Sequence, residues 1–294
     1  MNKPLASKLY KTNLLAKEPS LQAFLPVLHP FHNTQALSIL NTYSTAYVKP
    51  EYGTGGKNIL KITRQQKNTQ TNPTYRVDYA RHKSKIFPNH HHLFTWIKSY
   101  FTQGKRYVIQ QGIPLLHHKG RPFDSRFMVQ CNPIGHMDIT GWVGRVAADG
   151  RIVTNKTRGG SLHPIENLFL TRGVTAKRYE KILQSTKKIV QLASNTFHKY
   201  HPRVRELGFD IGWDGHYHPW ILEVNTRPHI SPFGEFDKGM LNRFYHYRKN
   251  YPTPILIAKR GAKIPKPSTR NIHSSPGSTK NVAHRTPSAS PILA

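Results

Sequence analysis

Apolar positions recur along the chain in short blocks, some at helical spacing and some alternating, and together they predict an α+β fold. Residues 4–28 carry Leu5, Leu9, Leu14, Leu15, Leu21, Phe24 and Leu25 near the helical period, which predicts helix interrupted at Pro19. The run Ala46-Tyr47-Val48-Lys49-Pro50 predicts a strand, and TYRVDYA (74–80) reads as its return strand. Leu93, Trp96, Ile97, Tyr100 and Phe101 form the core-facing stripe of a helix. RYVIQQGI (106–113) reads as a buried strand running into a glycine-containing crossover. RPFDSRFMVQ (121–130) alternates as a strand with Asp124 and Arg126 on one face, and DITGWVGRVAADGRIVTN predicts two strands joined at Asp149-Gly150. The clearest helix spans Thr175 to Tyr200, with Lys177, Lys181, Lys187, Lys188 and Lys199 opposite its apolar stripe as a solvated face. A closing helix is expected over 234–251.

Between those last two helices lies LGFDIGWDGHYHPWILEVNTRP, two apolar runs around a polar turn, which reads as a hairpin. Alternation puts Glu223 and Asn225 on one face and Leu222 and Val224 on the other. If residues 214–219 form the loop, Asp210 lies across from Glu223; a tight Asp214-Gly215 turn would place it opposite Pro219 instead. In the wide-loop register three oxygen-bearing side chains converge, an environment that suits a hard cation such as Mg²⁺. A plain edge hairpin with solvated polar residues is the competing reading.

Two glycine-rich segments raise a similar choice. EYGTGGKNILKITR follows Lys49, and such a loop can bring backbone N–H groups close to phosphate oxygens. It is not the P-loop pattern, since no G-K-[ST] ends it, and a ligand-free hairpin turn is the alternative. NKTRGGS gathers Asn155, Arg158 and two glycines and reads either as a phosphate-binding turn or as an ordinary loop. The run His90, His91 and His92 reads as a solvated helix start, because adjacent side chains diverge too far to ligate one ion.

Composition narrows the partners. The chain has 294 residues, with 44 Lys+Arg against 14 Asp+Glu and a formal charge of +30, so anionic partners are expected. The basic residues are spread along the chain, which argues against a dedicated nucleic-acid arm, and no sequence-reading module is visible. Nucleic acid therefore ranks last among anionic partners. The single Cys131 excludes an intramolecular disulfide framework and a cysteine zinc site. No apolar run is long enough to span a membrane and the N-terminus lacks a signal-peptide core, so a soluble cytoplasmic protein is expected. From Lys259 onward Pro, Ser, Thr and basic residues dominate, predicting a disordered basic tail over 259–294.

Taken together, and in this order, several segments resemble the ATP-grasp fold, and specifically the YheC/YheD-type proteins described as endospore coat-associated. SKLYKTNLLAKEPSLQAFLP is similar to the entry helix whose lysine reaches the nucleotide, here Lys8. AYVKPEYGTGGKNILKI looks like the strand and flexible loop that close over phosphates, with Lys49 as the second lysine and Gly53, Gly55 and Gly56 in the loop. YVIQQGI resembles the hinge strand, where the backbone from Gln111 to Ile113 would hold adenine. The resemblance implies that Arg126, Arg145 and Asn155 lie near the phosphoryl groups or an acyl-phosphate site, and that Asp210, Glu223 and Asn225 hold Mg²⁺. It implies two α+β subdomains whose antiparallel sheets grip ATP: entry helices over 1–45, an N-terminal lid subdomain over 46–113 and a C-terminal subdomain over 114–258. The expected activity is ATP-dependent joining of a carboxylate to an amine through an acyl phosphate, in a spore-coat setting. The alternative is a non-catalytic spore-coat or polyanion-binding component that keeps the fold. Two features depart from the pattern. The chain starts almost at the entry helix, without the preceding α/β domain, and glutamines stand at the hinge where many relatives carry a carboxylate.

Overall fold

The computed structural model describes residues 3–66 and 72–251, so the tail expected over 259–294 lies outside the described residues. The chain opens with α1 (Lys3–Ala6), α2 (Lys8–Leu15) and a 3₁₀ turn (Pro19–Phe24), then β1 (Leu28–Pro30) and α3 (Asn33–Tyr43). A first sheet follows from β2 (Thr45–Pro50), β3 (Leu60–Gln65), β4 (Thr74–Ala80) and β5 (Lys83–Phe87), then α4 (His90–Tyr100) and β6 (Tyr107–Gln111). Its order is β1-β6-β2-β3-β4-β5, antiparallel throughout.

The second half comprises β7 (His117–His118), β8 (Arg121–Cys131), β9 (Met137–Val146), β10 (Ser161–His163), α5 (Ile165–Leu170), α6 (Ala176–Tyr200), β11 (Glu206–Trp213) and β12 (Pro219–Asn225). It closes with α7 (Ser231–Phe236) and α8 (Lys238–Lys249). Its sheet runs β10-β9-β8-β11-β12, also antiparallel, with β7 paired to β8.

Each sheet has its own core. Val48, Ile62, Val77 and Ile109 of the first sheet pack under α3 and α4 through Ile39, Leu40, Leu93 and Ile97. Phe127, Val129, Phe209, Ile211, Trp213 and Val224 of the second pack on α5 and α6 through Leu168, Phe169, Leu183, Val190 and Phe197. Thr175 caps α6 by accepting from the Arg178 N–H, and Thr186, on the buried stripe, accepts from Trp213 Nε1. The first 45 residues divide between the cores: Leu14, Leu15 and Leu21 join the second, whereas Ala36, Ile39 and Leu40 join the first.

Four sequence expectations change. Helix does not continue to residue 28, because Leu28 enters β1 against β6. The helix α3 and the edge strand β5 were not expected: α3 is short with three buried positions, and β5 is exposed at every residue but Phe87. No strand follows the Asp149-Gly150 turn. Thr154 instead donates its hydroxyl to Asp124, holding 152–155 over the cleft, and Ser161–His163 takes the edge position beside β9.

The fourth concerns the hairpin β11–β12, which has the wide-loop register with Asp210 opposite Glu223. Asp214 fixes the loop: its carboxylate accepts the N–H groups of His216 and His218 and the indole N–H of Trp220. Strict alternation fails at a bulge, since Asp210 pairs with Glu223 but Ile211 pairs with Ile221. Leu222 is the extra residue. It therefore turns to the cleft beside Glu223, while Ile221 and Val224 both enter the core.

Candidate active site between the two sheets

Three contiguous cavities lie between the sheets. A narrow slot of about 90 Å³ is walled by Ile59, Ile113, Leu115, Ile152 and Leu222 and reaches Lys49, Gln110 and Gln111. The second, about 270 Å³, lies under the glycine loop against Lys8, Lys49 and Glu223. The third, about 430 Å³, is bordered by Arg126, Arg145, Asn155, Asp210, Glu223 and Asn225.

The entry helix is aimed by its cap. Ser7 accepts from the Tyr10 N–H and donates its hydroxyl to Glu51, while the Lys8 N–H bonds the Glu51 carbonyl at 3.1 Å. Glu51 is buried and ion-pairs with Arg106 at 3.0 Å. This leaves Lys8 Nζ facing the cleft, 2.8 Å from the Gly53 carbonyl and 3.7 Å from Glu223. Lys49 emerges from β2 and donates to Gln110 Oε1, and Gln110 Nε2 donates to the Leu222 carbonyl at 3.2 Å. Burial pushes the Lys49 ammonium down to about 8 against the opposing pull of Glu223, and burial likewise lowers Lys11, one turn beyond Lys8, to about 8.

The glycine loop bends across the cleft. Gly53, Gly55 and Gly56 have φ of +129°, +73° and +66°, a region other residues enter only with strain. A Cβ at Gly56 would meet Asn155 Oδ1 at 2.8 Å, and Arg158 Nε donates to the Gly55 carbonyl at 3.1 Å. The NKTRGGS turn thus touches the loop from the opposite half.

Beneath them lies a buried ionic cluster. Arg145 makes two bonds to Asp124, at 2.8 and 2.6 Å, and a third contact to Asp210 at 3.1 Å. Arg126 Nε donates to the other Asp210 oxygen at 2.5 Å. Burial raises the Asp210 carboxyl pKa, but the two guanidinium groups outweigh it and hold that pKa below the usual carboxylate range. Three of the five N–H donors of Arg145, those on Nε and Nη2, are thus directed at carboxylates. Gly208, two residues before Asp210, lets Arg126 lie flat: a Cβ there would come within 2.9 Å of Pro228 and 3.2 Å of Arg126 Cδ.

The donor set suits a hard divalent cation. Asp210 and Glu223 face each other across the ladder, Asn225 lines the same cavity, and all three offer oxygen. Each Asp210 oxygen that accepts a guanidinium hydrogen bond keeps a second lone pair. The buried Asn225 Nδ2 has no hydrogen-bond partner, and a half-turn of the amide would put Oδ1 at that orphaned position.

The residues expected from the sequence to hold nucleotide, phosphoryl groups and metal all border this cleft. Gln111 engages a neighbouring segment as well, since its side chain accepts from the Val27 N–H and its own N–H bonds the Val27 carbonyl. Sequence reasoning missed Leu222, Thr154 and Glu51 as parts of the site, and noted Gln110 only as one of the two hinge glutamines and Asp124 only as sharing a face with Arg126. The D-x-R spacing pointed towards Asp124; the bulge that brings in Leu222 has no sequence signal. The three histidines begin α4 as a solvated turn capped by Asn89.

The sequence pattern of the YheC/D-like ATP-grasp family matches residues 1–252. Endospore coat-associated protein YheD of Bacillus subtilis (strain 168) is 27% identical over 245 residues, covering 79% of this chain and 50% of the relative. Endospore coat-associated protein YheC of the same organism is 23% identical over 194 residues, covering 66% and 52%. The chain thus spans about half the length of the curated relatives it matches. A solved structure, the ADP complex of purK (N5-carboxyaminoimidazole ribonucleotide synthetase), is 11% identical with a TM-score of 0.46 and covers 78% of this chain and 46% of that chain. With its family pattern matched from the entry helix to the closing helix, this chain belongs to the YheC/D-like ATP-grasp family.

Proposed function

We propose that this protein binds Mg·ATP in the cleft and uses it to join a carboxylate to an amine. The observation that carries the reading is the meeting of two lysines, a glycine loop and three oxygen ligands on adjoining cavities between the sheets. In this reading the apolar slot takes the base, with the strand end at Gln111–Ile113 as its polar edge. Lys8 and Lys49 supply fixed positive potential to the phosphates, and the N–H groups around Gly53, Gly55 and Gly56 close over them. Asp210, Glu223 and Asn225 hold the metal, which when bound neutralises charge on the phosphates during transfer. Arg126, held flat against Asp210, and Asn155 face the same cavity and orient the acceptor.

The carboxylate oxygen would attack the γ-phosphorus with ADP leaving, and an amine would then displace phosphate from the acyl carbon and lose a proton. No protein nucleophile is needed. The test is ADP release across a panel of carboxylates with hydroxylamine present to trap the acyl phosphate as a hydroxamate. The reading predicts carboxylate-dependent ADP and hydroxamate in equal amounts. Tight Mg·ATP binding with neither product from any carboxylate would remove the ligase assignment. The relatives' names support a setting at the spore coat, where the exposed Lys177, Arg178, Lys181 and Lys188 of α6 offer a basic face to an anionic surface.

A further inference from the structure

The largest of the three cavities is unbalanced in charge. Among its described lining residues, Lys57, Arg126, Arg145, Lys156, Arg158 and Arg227 are cationic and Asp210 and Glu223 anionic; Arg145 is matched by Asp124 just outside the lining, which still leaves an excess of cations. Those two carboxylates are already accounted for: Arg126 and Arg145 bracket Asp210, and Lys8 stands 3.7 Å from Glu223. Lys57, on the glycine loop, and Arg227, two residues past Asn225, are both exposed and have no ion-pair partner among the described residues. They approach the cavity from opposite halves of the protein. Val143, Leu162 and the buried Phe233 add apolar surface to its wall.

Uncompensated positive charge on a partly enclosed cavity concentrates anions and repels ammonium groups. The carboxylate that reacts must lie beside the metal ligands, where Arg126 and Asn155 face it. Arg227, which lines this cavity alone, then remains for something else, and Lys57, which lines both this cavity and the one under the glycine loop, stands within reach of the same group. We propose that the carboxylate acceptor carries at least one further anionic group, a second carboxylate or a phosphate, which Arg227 and Lys57 bind while the skeleton between the groups lies on Val143, Leu162 and Phe233. The proposal rests on the functional reading above and adds the substrate class.

The experiment saturates the full chain with a non-hydrolysable ATP analogue and Mg²⁺, then titrates triglutamate, phosphoserine, butyrate and triglycine by calorimetry. Triglutamate or phosphoserine is expected to bind at least tenfold tighter than butyrate and triglycine, and whichever wins identifies the second group. Arg227→Gln should remove most of that preference without weakening the nucleotide analogue, Arg227→Lys should keep part of it, and Lys57→Gln, whose side chain also lines the cavity under the glycine loop, should reduce the preference by more than it weakens the analogue. Equal binding of mono- and polyanions would overturn the proposal. So would a preference that survives both glutamine variants, because a chain of this charge attracts polyanions everywhere. A tenfold loss of nucleotide affinity in Arg227→Gln would overturn it too, by assigning Arg227 to ATP. Failure of the analogue to bind wild type would refute the functional reading as well, whereas nucleotide binding without polyanion preference refutes this proposal alone.

Discussion

Replacing Asp124 by Asn tests the ionic cluster on which the cleft is built. Asp124 and Arg145 are 6% and 7% exposed, and Asp124 accepts two hydrogen bonds from Arg145 and one from Thr154. Asparagine keeps the shape but removes the charge, and one of its two terminal atoms becomes a donor facing another donor. Of its two carboxylate partners Arg145 would keep only Asp210, which Arg126 already shares. Removing one partner of a buried pair costs about 3–5 kcal/mol, because the surviving charge stays desolvated. The retained acceptor oxygen places the estimate at the low end, about 3 kcal/mol. For a chain of this size that lowers the melting temperature by roughly 6–12 °C. Thermal unfolding followed by circular dichroism, with urea unfolding alongside, provides the assay. Arg145→Met in the Asp124→Asn background should recover much of the loss, since no charge then remains stranded. A loss under about 1 kcal/mol for Asp124→Asn, or no recovery in the double variant, would refute the claim that this pair is dry and mutually dependent.

Three further outcomes follow from the same geometry. Burial holds Lys49 near 8, below the ordinary lysine value, so the free site loses this charge as pH rises through that value; bound phosphates favour the protonated form. Mg·ATP affinity should therefore be full below pH 8, fall up to about tenfold per pH unit above it, and show proton uptake by calorimetry in two buffers, whereas constant affinity from pH 7 to 9.5 would contradict this. Gly208→Ala should cost about 1–3 kcal/mol and weaken Mg²⁺-dependent nucleotide binding, because the added Cβ displaces Pro228 and Arg126; unfolding curves and a nucleotide titration check both effects. Leu222→Ala should raise the Kd for ATP about tenfold, roughly 1.4 kcal/mol, while leaving inorganic triphosphate binding unchanged, and equal losses for both ligands would deny the slot its role.

The parts legible in the sequence were those set by local chemistry. Alternation in 207–225 gave the hairpin, and Thr175 before an apolar stripe gave α6. The wide-loop register was open in the sequence because Asp214-Gly215 is also a good two-residue turn. The structure decides it through Asp214, whose carboxylate holds three groups of the loop. Long-range effects were not legible. The bulge at Leu222 depends on how β12 meets β11, and the staple from Glu51 to Ser7 joins residues far apart in the chain. The same holds for 152–155, which has strand-like composition but is drawn over the cleft by a single hydroxyl on Asp124.

The most direct measurement is a calorimetric titration of wild type and Glu223→Gln with ATP, in Mg²⁺ and again in excess chelator. Glu223 is half-buried at the cleft rather than in either core, so its loss should leave the fold intact. The account predicts that wild type binds ATP only with Mg²⁺ and that the variant binds it at least tenfold more weakly. Equal affinity for the two proteins, or wild-type binding indifferent to the chelator, would contradict the claim that the sheets close on a metal-bound triphosphate.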